Sequence, residues 1–103
     1  MLEMRKEAQG GCRFIIKSEQ GNTLLESIAF DSATEAETSL RKIRPAISDP
    51  VCFERRTDHR GLFQFALKSP GGPVLGHSQF YRSEAGMENG ITHTRDRIVK
   101  LML

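Results

Sequence analysis

An internal repeat constrains the fold of this chain more than any other feature of the sequence. The stretch FIIKSEQGNTLLES at residues 14–27 returns as FALKSPGGPVLGHS at residues 65–78, displaced by 51 positions without a gap. The same offset pairs residues 2–47 with residues 53–98. About a quarter of these pairs are identical, whereas average composition would give roughly three matches in all. The duplication predicts two similar supersecondary units that bury their apolar faces against each other.

The length of the chain requires the two units to share one core. With 103 residues, 38% hydrophobic and 27% charged, the chain has the size and composition of one folded domain and is too short for two independent cores. We therefore expect a single domain over residues 1–103, built from repeats 2–47 and 53–98.

Each repeat has the pattern of three strands followed by one helix. CRFIIKS and FQFALKS alternate with a period of two, and glycine turns separate them from the apolar segments on either side. Ser32 and Ser83 then precede segments with helical spacing and are predicted N-caps. The sequence Asn89–Gly90 is typical of a hairpin, but the equivalent residues in the first repeat lie inside a predicted helix. We therefore predict a helix there as well.

The quoted motifs resemble those of a known family. CFERRTDHRGLFQFALKSPGGPVLGHSQFYRSEAGMENGI and, more loosely, CRFIIKSEQGNTLLESIAFDSATEAE are similar to the tandem units of the YegP-like family, small bacterial proteins of uncharacterised function. The resemblance implies an α+β fold. Two β-β-β-α-β units would merge into one antiparallel sheet, exchange their last strands, place both helices on one face and be related by a pseudo-two-fold axis. It implies no catalytic residues.

Charge, cysteine spacing and histidine spacing give no sign of a cofactor or a membrane. The net charge of +2 is too small to indicate nucleic acid by itself. Cys12 and Cys52 stand forty positions apart, so we expect buried free thiols. The three histidines lack metal-ligand spacing, and we expect no metal and no cofactor. No apolar run could span a bilayer, and the first residues lack the apolar core of a signal peptide, so we expect a cytoplasmic protein.

Strict alternation predicts which strand residues remain on the face that the helices leave open. Phe14 and Phe65 would face the helices, and the small residues of the third strands would lie beneath them (Ser27, Ala29, Gly76 and Ser78). The open face would then combine repeated cations with apolar and aromatic groups. Its candidate binding residues are Arg13, Lys17, Phe30, Lys68, His77 and Tyr81, accompanied by Leu24, Ile28 and Leu75. A half-solvated sheet face without a function is the alternative interpretation.

This surface indicates a binding function more than a catalytic one. No group of acid, base and nucleophile clusters or recurs, so we expect a non-enzymatic binding or interaction module that acts on a protein or a small anionic ligand. The alternative is binding of single-stranded nucleic acid, with bases stacked on Phe30 and Tyr81. Because both units lie in one chain, we expect a monomer. An enzyme would regain support if a deep pocket joined His77 to a carboxylate such as Glu26.

Overall fold

The computed structural model describes residues 2–101, which form an α+β fold with one antiparallel sheet of six strands and two helices. The strand order is β1-β2-β3-β6-β5-β4, so the third strands of the two repeats meet at the centre. The elements are β1 (Leu2–Lys6), β2 (Cys12–Lys17), β3 (Thr23–Ser27), α1 (Ala33–Ile43), β4 (Phe53–Thr57), β5 (Phe63–Lys68), β6 (Val74–His77) and α2 (Glu84–Val99).

Both helices pack against the same face of the sheet and share one core with it. Phe14 and Phe65, from the central part of β2 and β5, are completely buried in a cluster that also contains Leu40 of α1 and Ile91 of α2. The predicted helix starts are confirmed, because Ser32 Oγ accepts a hydrogen bond from the Glu35 backbone and Ser83 Oγ accepts one from Gly86.

The helix α2 runs without interruption through Gly90, as predicted against the hairpin signal. A side chain at this position would collide with Tyr81, because a Cβ atom placed on Gly90 would lie 2.6 Å from Tyr81 Cζ. Glycine at position 90 makes the helix about 1 kcal/mol less stable than alanine would, but it leaves room for the tyrosine ring. In the first repeat the corresponding pair is Phe30 and Ser39, which have no phenol hydroxyl to accommodate.

The predicted exchange of last strands is wrong in the first repeat. After α1 the chain enters two 3-10 turns, Arg44–Ala46 and Pro50–Cys52, and then goes directly into β4. Each turn has a proline in its first positions, and a proline has no N–H to give to a sheet ladder. In the second repeat the apolar carboxyl-terminal segment, residues 98–103, could either extend the helix or pair as the last strand, and α2 extends into it as far as Val99. Residues 102 and 103 of that segment lie outside the described residues.

The predicted positions of Leu24 and Leu75 on the open face are wrong because each repeat contains a β-bulge. The pairing of β2 with β3 skips one residue, because Ile16 lies opposite Leu25 and Lys17 lies opposite Thr23. Leu24 is the extra residue, and such a bulge turns a side chain away from strict alternation. The same shift makes Leu75 the extra residue between β5 and β6. Both leucines were expected on the open face and instead belong to the shared core.

A second irregularity moves Phe30 and Tyr81 from the predicted open face to the core. Ile15 lies opposite Glu26 in the β2–β3 ladder, whereas Cys12 lies opposite Phe30. Ile15 and Cys12 are three residues apart, whereas their partners Glu26 and Phe30 are four residues apart. One additional residue reverses the face of everything beyond it, so Phe30 follows Cys12 onto the helix side.

The second repeat has the same extra residue, and both aromatic rings pack on core phenylalanines. Phe30 stacks on Phe14 with ring centroids 6.0 Å apart, and Tyr81 stacks on Phe65 at 6.4 Å. Burial raises the pKa of Tyr81, and the Gln79 side chain opposes part of this rise. The hydroxyl oxygen is buried without a hydrogen bond of normal length to another described residue. The same extra residue places Ala29, expected beneath the helices, beside His77 and Glu26 on the open side.

A serine hydroxyl completes the ladder at each of these extra residues. The backbone N–H of Phe14 donates to Ser27 Oγ at 2.9 Å, and this hydroxyl donates to the Ile28 carbonyl. In the second repeat Phe65 N–H donates to Ser78 Oγ at 3.0 Å, and Ser78 donates to Gln79. The hydroxyls thus replace strand carbonyls that the extra residue has displaced.

We predict that Ser27→Ala and Ser78→Ala each lower the free energy of unfolding by about 1–3 kcal/mol. Each change leaves a buried backbone N–H without its acceptor. Urea denaturation monitored by circular dichroism measures the loss, and Ser39→Ala is the control because its hydroxyl bonds the Ala36 carbonyl within a helix. Equal effects for all three variants would show that the ladder does not depend on these two hydroxyls.

Candidate binding surface on the open sheet face

The open face carries charged side chains that pair across neighbouring strands. Lys17 Nζ lies 2.8 Å from Glu3 Oε2, and Lys68 Nζ lies 3.7 Å from Glu54 Oε2. Hydrogen bonds from Lys17, and then from Arg5, lower the pKa of Glu3. The pKa of Glu54 is lowered too, first by Arg56. The two lysines predicted as binding cations do lie on this face, but each has a carboxylate beside it.

These ion pairs lie around one buried residue on the open face of each repeat, Ile15 in the first and Ala66 in the second. Ile15 lies between Glu3 and Glu26 in the sheet, and Ala66 lies between Glu54 and His77. Both residues are almost completely buried although they face away from the helices. The aliphatic parts of charged side chains can cover apolar surface in this way. The open face is therefore a layer of compensated charges.

A shallow depression lies over the central strands β3 and β6. It measures about 460 Å³, is open to solvent and is lined in part by Arg13, Glu26, Ile28 and His77. Glu26 and His77 are register partners, so their Cβ atoms lie about 5 Å apart. Ile28 is 38% exposed. The depression combines an imidazole, a carboxylate and an apolar side chain at the place where the two repeats meet.

Arg13 lies at one border of this depression and is held by two acceptors. Its guanidinium donates to the Glu7 carboxylate and to the Ser27 carbonyl, the latter at 2.9 Å. In the second repeat the amide of Gln64 donates to the Ser78 carbonyl at 3.0 Å. Arg13 thus has a structural partner at the bulge as well as a partly exposed position on the face.

Within residues 2–101, no deep pocket joins His77 to Glu26. His77 stands opposite Glu26 in the strand register, but the depression that they line is shallow and open to solvent. The nearby hydroxyls of Ser27 and Ser78 are engaged in the ladder, and no ion pair joins Glu26 to His77 among the described residues. Within residues 2–101 no three His, Cys, Asp or Glu side chains are grouped so that they could hold a metal ion. Cys12 and Cys52 are buried free thiols, as predicted.

Sequence reasoning placed four of the six candidate residues on the correct face and missed their acidic neighbours. Arg13, Lys17, Lys68 and His77 lie on the open face, whereas the aromatic pair predicted for nucleic-acid stacking lies in the core. Glu26 was named only as a possible carboxylate partner of His77 and was not among the candidate binding residues. The recurrence of Glu and Lys at the same offset (Glu3 with Glu54, Lys17 with Lys68) was the available signal for the cross-strand ion pairs.

Comparisons with known proteins identify the family. A model of a domain of unknown function, DUF1508, matches residues 58–96. The UPF0339 protein YegP of Escherichia coli is 30% identical over 94 residues, which are 91% of this chain and 86% of the relative. This chain belongs to the YegP-like UPF0339 family. A UPF0339 protein from Pseudomonas aeruginosa is 28% identical, with 87% of this chain and 82% of the relative covered.

Solved structures of YegP-like proteins have the same fold. The solution NMR structure of YegP from E. coli, described as a protein of unknown function, superposes with a TM-score of 0.86 at 28% identity, covering 96% of this chain and 85% of that one. A UPF0339 protein from Shewanella oneidensis gives a TM-score of 0.88 at 20% identity over 96% and 84% of the two chains. No helix among residues 2–101 is long and apolar enough to cross a membrane.

Proposed function

We propose that this YegP-like chain is a non-enzymatic interaction module that binds a partner protein through the open face of its sheet. The observation that carries the proposal is the depression over β3 and β6, where Glu26 and His77 face solvent beside the exposed Ile28. Lys17, Lys68 and Arg13 would form the rim of this contact. Two units related by a pseudo-two-fold axis would frame it, and the matched strand order and matched serine hydrogen bonds support that arrangement.

The shape and charge of the face favour a protein over a small anionic ligand. Small molecules are held in concave sites that bury most of their surface, whereas this depression is shallow and open. Its cations are largely compensated by Glu3, Glu54 and Glu7, so the face offers little excess positive charge to an anion. A partner with a mixed-charge surface fits such a pattern better, because complementary charges mainly set specificity and register. Single-stranded nucleic acid loses support because Phe30 and Tyr81 pack against the core on the helix side and not on the open face.

We predict that Glu26→Ala/Ile28→Ala/His77→Ala abolishes the capture of protein partners from a lysate of the native cell. A matched control replaces an acid, an apolar residue and a histidine that are exposed on α2, as Glu84→Ala/His93→Ala/Val99→Ala. Captured proteins are compared by quantitative mass spectrometry, and both variants are first checked for an unchanged melting temperature. Equal capture by the two variants would remove the open face as the binding surface.

We further propose that the protein is a monomer in the cytoplasm. The two repeats pair with each other along β3 and β6, and their covalent link gives the second repeat a high effective concentration. Charged residues along the outer strands oppose edge pairing between chains, as Arg5 and Lys6 do in β1. Light scattering at micromolar concentration is expected to return a mass near 11.6 kDa. A concentration-independent mass of twice this value would contradict the monomer.

A further inference from the structure

The two repeats differ in one feature of shape beside the open face. In the first repeat a trough of about 480 Å³ lies between the turn after β1 and the segment after β3. We call it the first-repeat trough and define it by the lining residues Glu7, Gln9, Arg13, Ala29 and Asp31, with Phe30 also contributing to its wall. Arg13 and Ala29 also border the depression over the central strands, so the two surfaces are continuous.

The second repeat fills the equivalent place with its own side chains. The 51-residue offset puts Arg60 at the position of Gln9 and Phe80 at the position of Ala29. The Arg60 guanidinium lies over the Phe80 ring, 5.1 Å from its centroid. It is also bound to Asp58, which corresponds to Glu7, at 2.8 Å. A cation stacked on an aromatic ring and held by a carboxylate therefore occupies this part of the second repeat.

The first repeat keeps the acidic group but lacks the ring and the cation. Glu7 is present, but Ala29 has no ring to match Phe80, and Gln9 has no positive charge to match Arg60. Asp31 adds a second carboxylate where the second repeat has Arg82. No ion pair within residues 2–101 involves Asp31. The lining of the trough thus has one more carboxylate than cations, and Lys6 lies beside Glu7 and Asp31 in the adjoining depression.

From this difference we infer that the first-repeat trough binds an arginine and an aromatic side chain presented together by the partner protein. The aromatic ring would lie over Ala29, and the guanidinium would lie on the ring and reach Asp31 or Glu7, as Arg60 reaches Asp58. The inference rests on the proposed function and specifies the chemistry of the partner. The contact is an association without any covalent step.

Titration with a blocked pentapeptide, acetyl-Ser-Phe-Ser-Arg-Ser-amide, tests this inference by heteronuclear NMR on the full chain. In an extended peptide the Phe and Arg side chains lie on one side. We expect saturable shifts at the amides of Gln9, Ala29 and Asp31. Replacing the arginine of the peptide by neutral citrulline should weaken binding at least about fivefold, since a cation on an aromatic ring and a carboxylate is lost. Equal binding of the citrulline peptide would overturn the role of the cation.

A variant that installs the missing side chains provides the decisive control. Gln9→Arg/Ala29→Phe copies the pair that already folds in the second repeat, and it should abolish the peptide shifts without lowering the melting temperature. Phe80→Ala should leave the shifts unchanged. Shifts that survive in the double variant, or that disappear with Phe80→Ala, would overturn the assignment to the first repeat. A mass that rises with protein concentration and is lost with Phe80→Ala would identify a second copy as the occupant and would also overturn the inference.

The two proposals can fail separately. If the open-face triple variant loses its protein partners but the pentapeptide causes no shifts, the interaction function stands and the arginine–aromatic inference fails. If the pentapeptide binds as expected while the triple variant keeps all partners, the trough is supported and the central depression is not the binding surface.

Discussion

Replacing Phe65 by alanine is expected to lower the free energy of unfolding by about 3–5 kcal/mol. The ring is completely buried, meets Phe53 edge to face with centroids 5.8 Å apart and stacks on Tyr81. Its removal leaves a cavity in the core that both helices share. Phe14→Ala should have an effect of similar size, because Phe14 holds the equivalent position and stacks on Phe30.

Differential scanning calorimetry should detect a single unfolding transition for both variants. The two repeats bury their apolar side chains in one cluster, so neither can unfold while the other keeps its core. Phe80→Ala is the control, since Phe80 is 48% exposed and its removal costs mainly the stacking of Arg60 on the ring, about 1 kcal/mol or less. Two separate transitions, or a loss for Phe65→Ala no larger than that of the control, would contradict the shared core.

Gly76→Ala is the second change from which we expect a large loss, of about 3 kcal/mol, at the upper end of the usual cost of overpacking. A Cβ atom at Gly76 would lie 2.7 Å from the carbonyl oxygen of Glu26 and 3.0 Å from Cα of Ser27. Both are backbone atoms of β3, so a rotamer change cannot relieve the contact. The added methyl would force β3 and β6 apart where the two repeats join.

Gly61→Ala separates this steric effect from the general cost of replacing glycine. Gly61 has a φ of +77° but no neighbour within 4 Å of a Cβ atom, so alanine there costs only about 1–2 kcal/mol of backbone strain. Chemical denaturation of both variants gives the comparison. Gly76→Ala should be the less stable of the two and should show weaker amide protection in β3 and β6. If it is as stable as Gly61→Ala, the contact between the central strands is looser than its geometry indicates.

The positions of the charged residues on the open face required the strand register. Lys17 and Lys68 were visible in the sequence as repeated cations, and alternation placed them correctly opposite the helices. Their pairing with Glu3 and Glu54 depends on which residues stand side by side in β1–β2 and β4–β5. A single sequence does not show the strand register, so it does not show which lysines have a carboxylate beside them. The predicted basic surface is for this reason a surface of paired charges.

The sequence by itself determined the three strands and the helix of each repeat and the central residues of the shared core. The strands and the serine caps are visible as local patterns, and the repeat is visible as a constant offset of 51 residues. The core positions of Phe14 and Phe65 follow from alternation within a single uninterrupted strand. The repeat also overruled the hairpin signal at Asn89–Gly90, because equivalent residues must take equivalent structure.

Only the tertiary structure decided which face the third strands present to solvent. Each repeat gains one residue at the glycine-turn end of its third strand and another at its serine, and each extra residue changes the facing of the side chains near it. Such an insertion has no compositional signal, because it is defined by which backbone groups of the two neighbouring strands form hydrogen bonds and not by the residue types. Phe30 and Tyr81 therefore pack against the core on the helix side, whereas alternation places them on the open face. The space that Tyr81 occupies over Gly90 likewise exists only after the sheet and α2 have packed together.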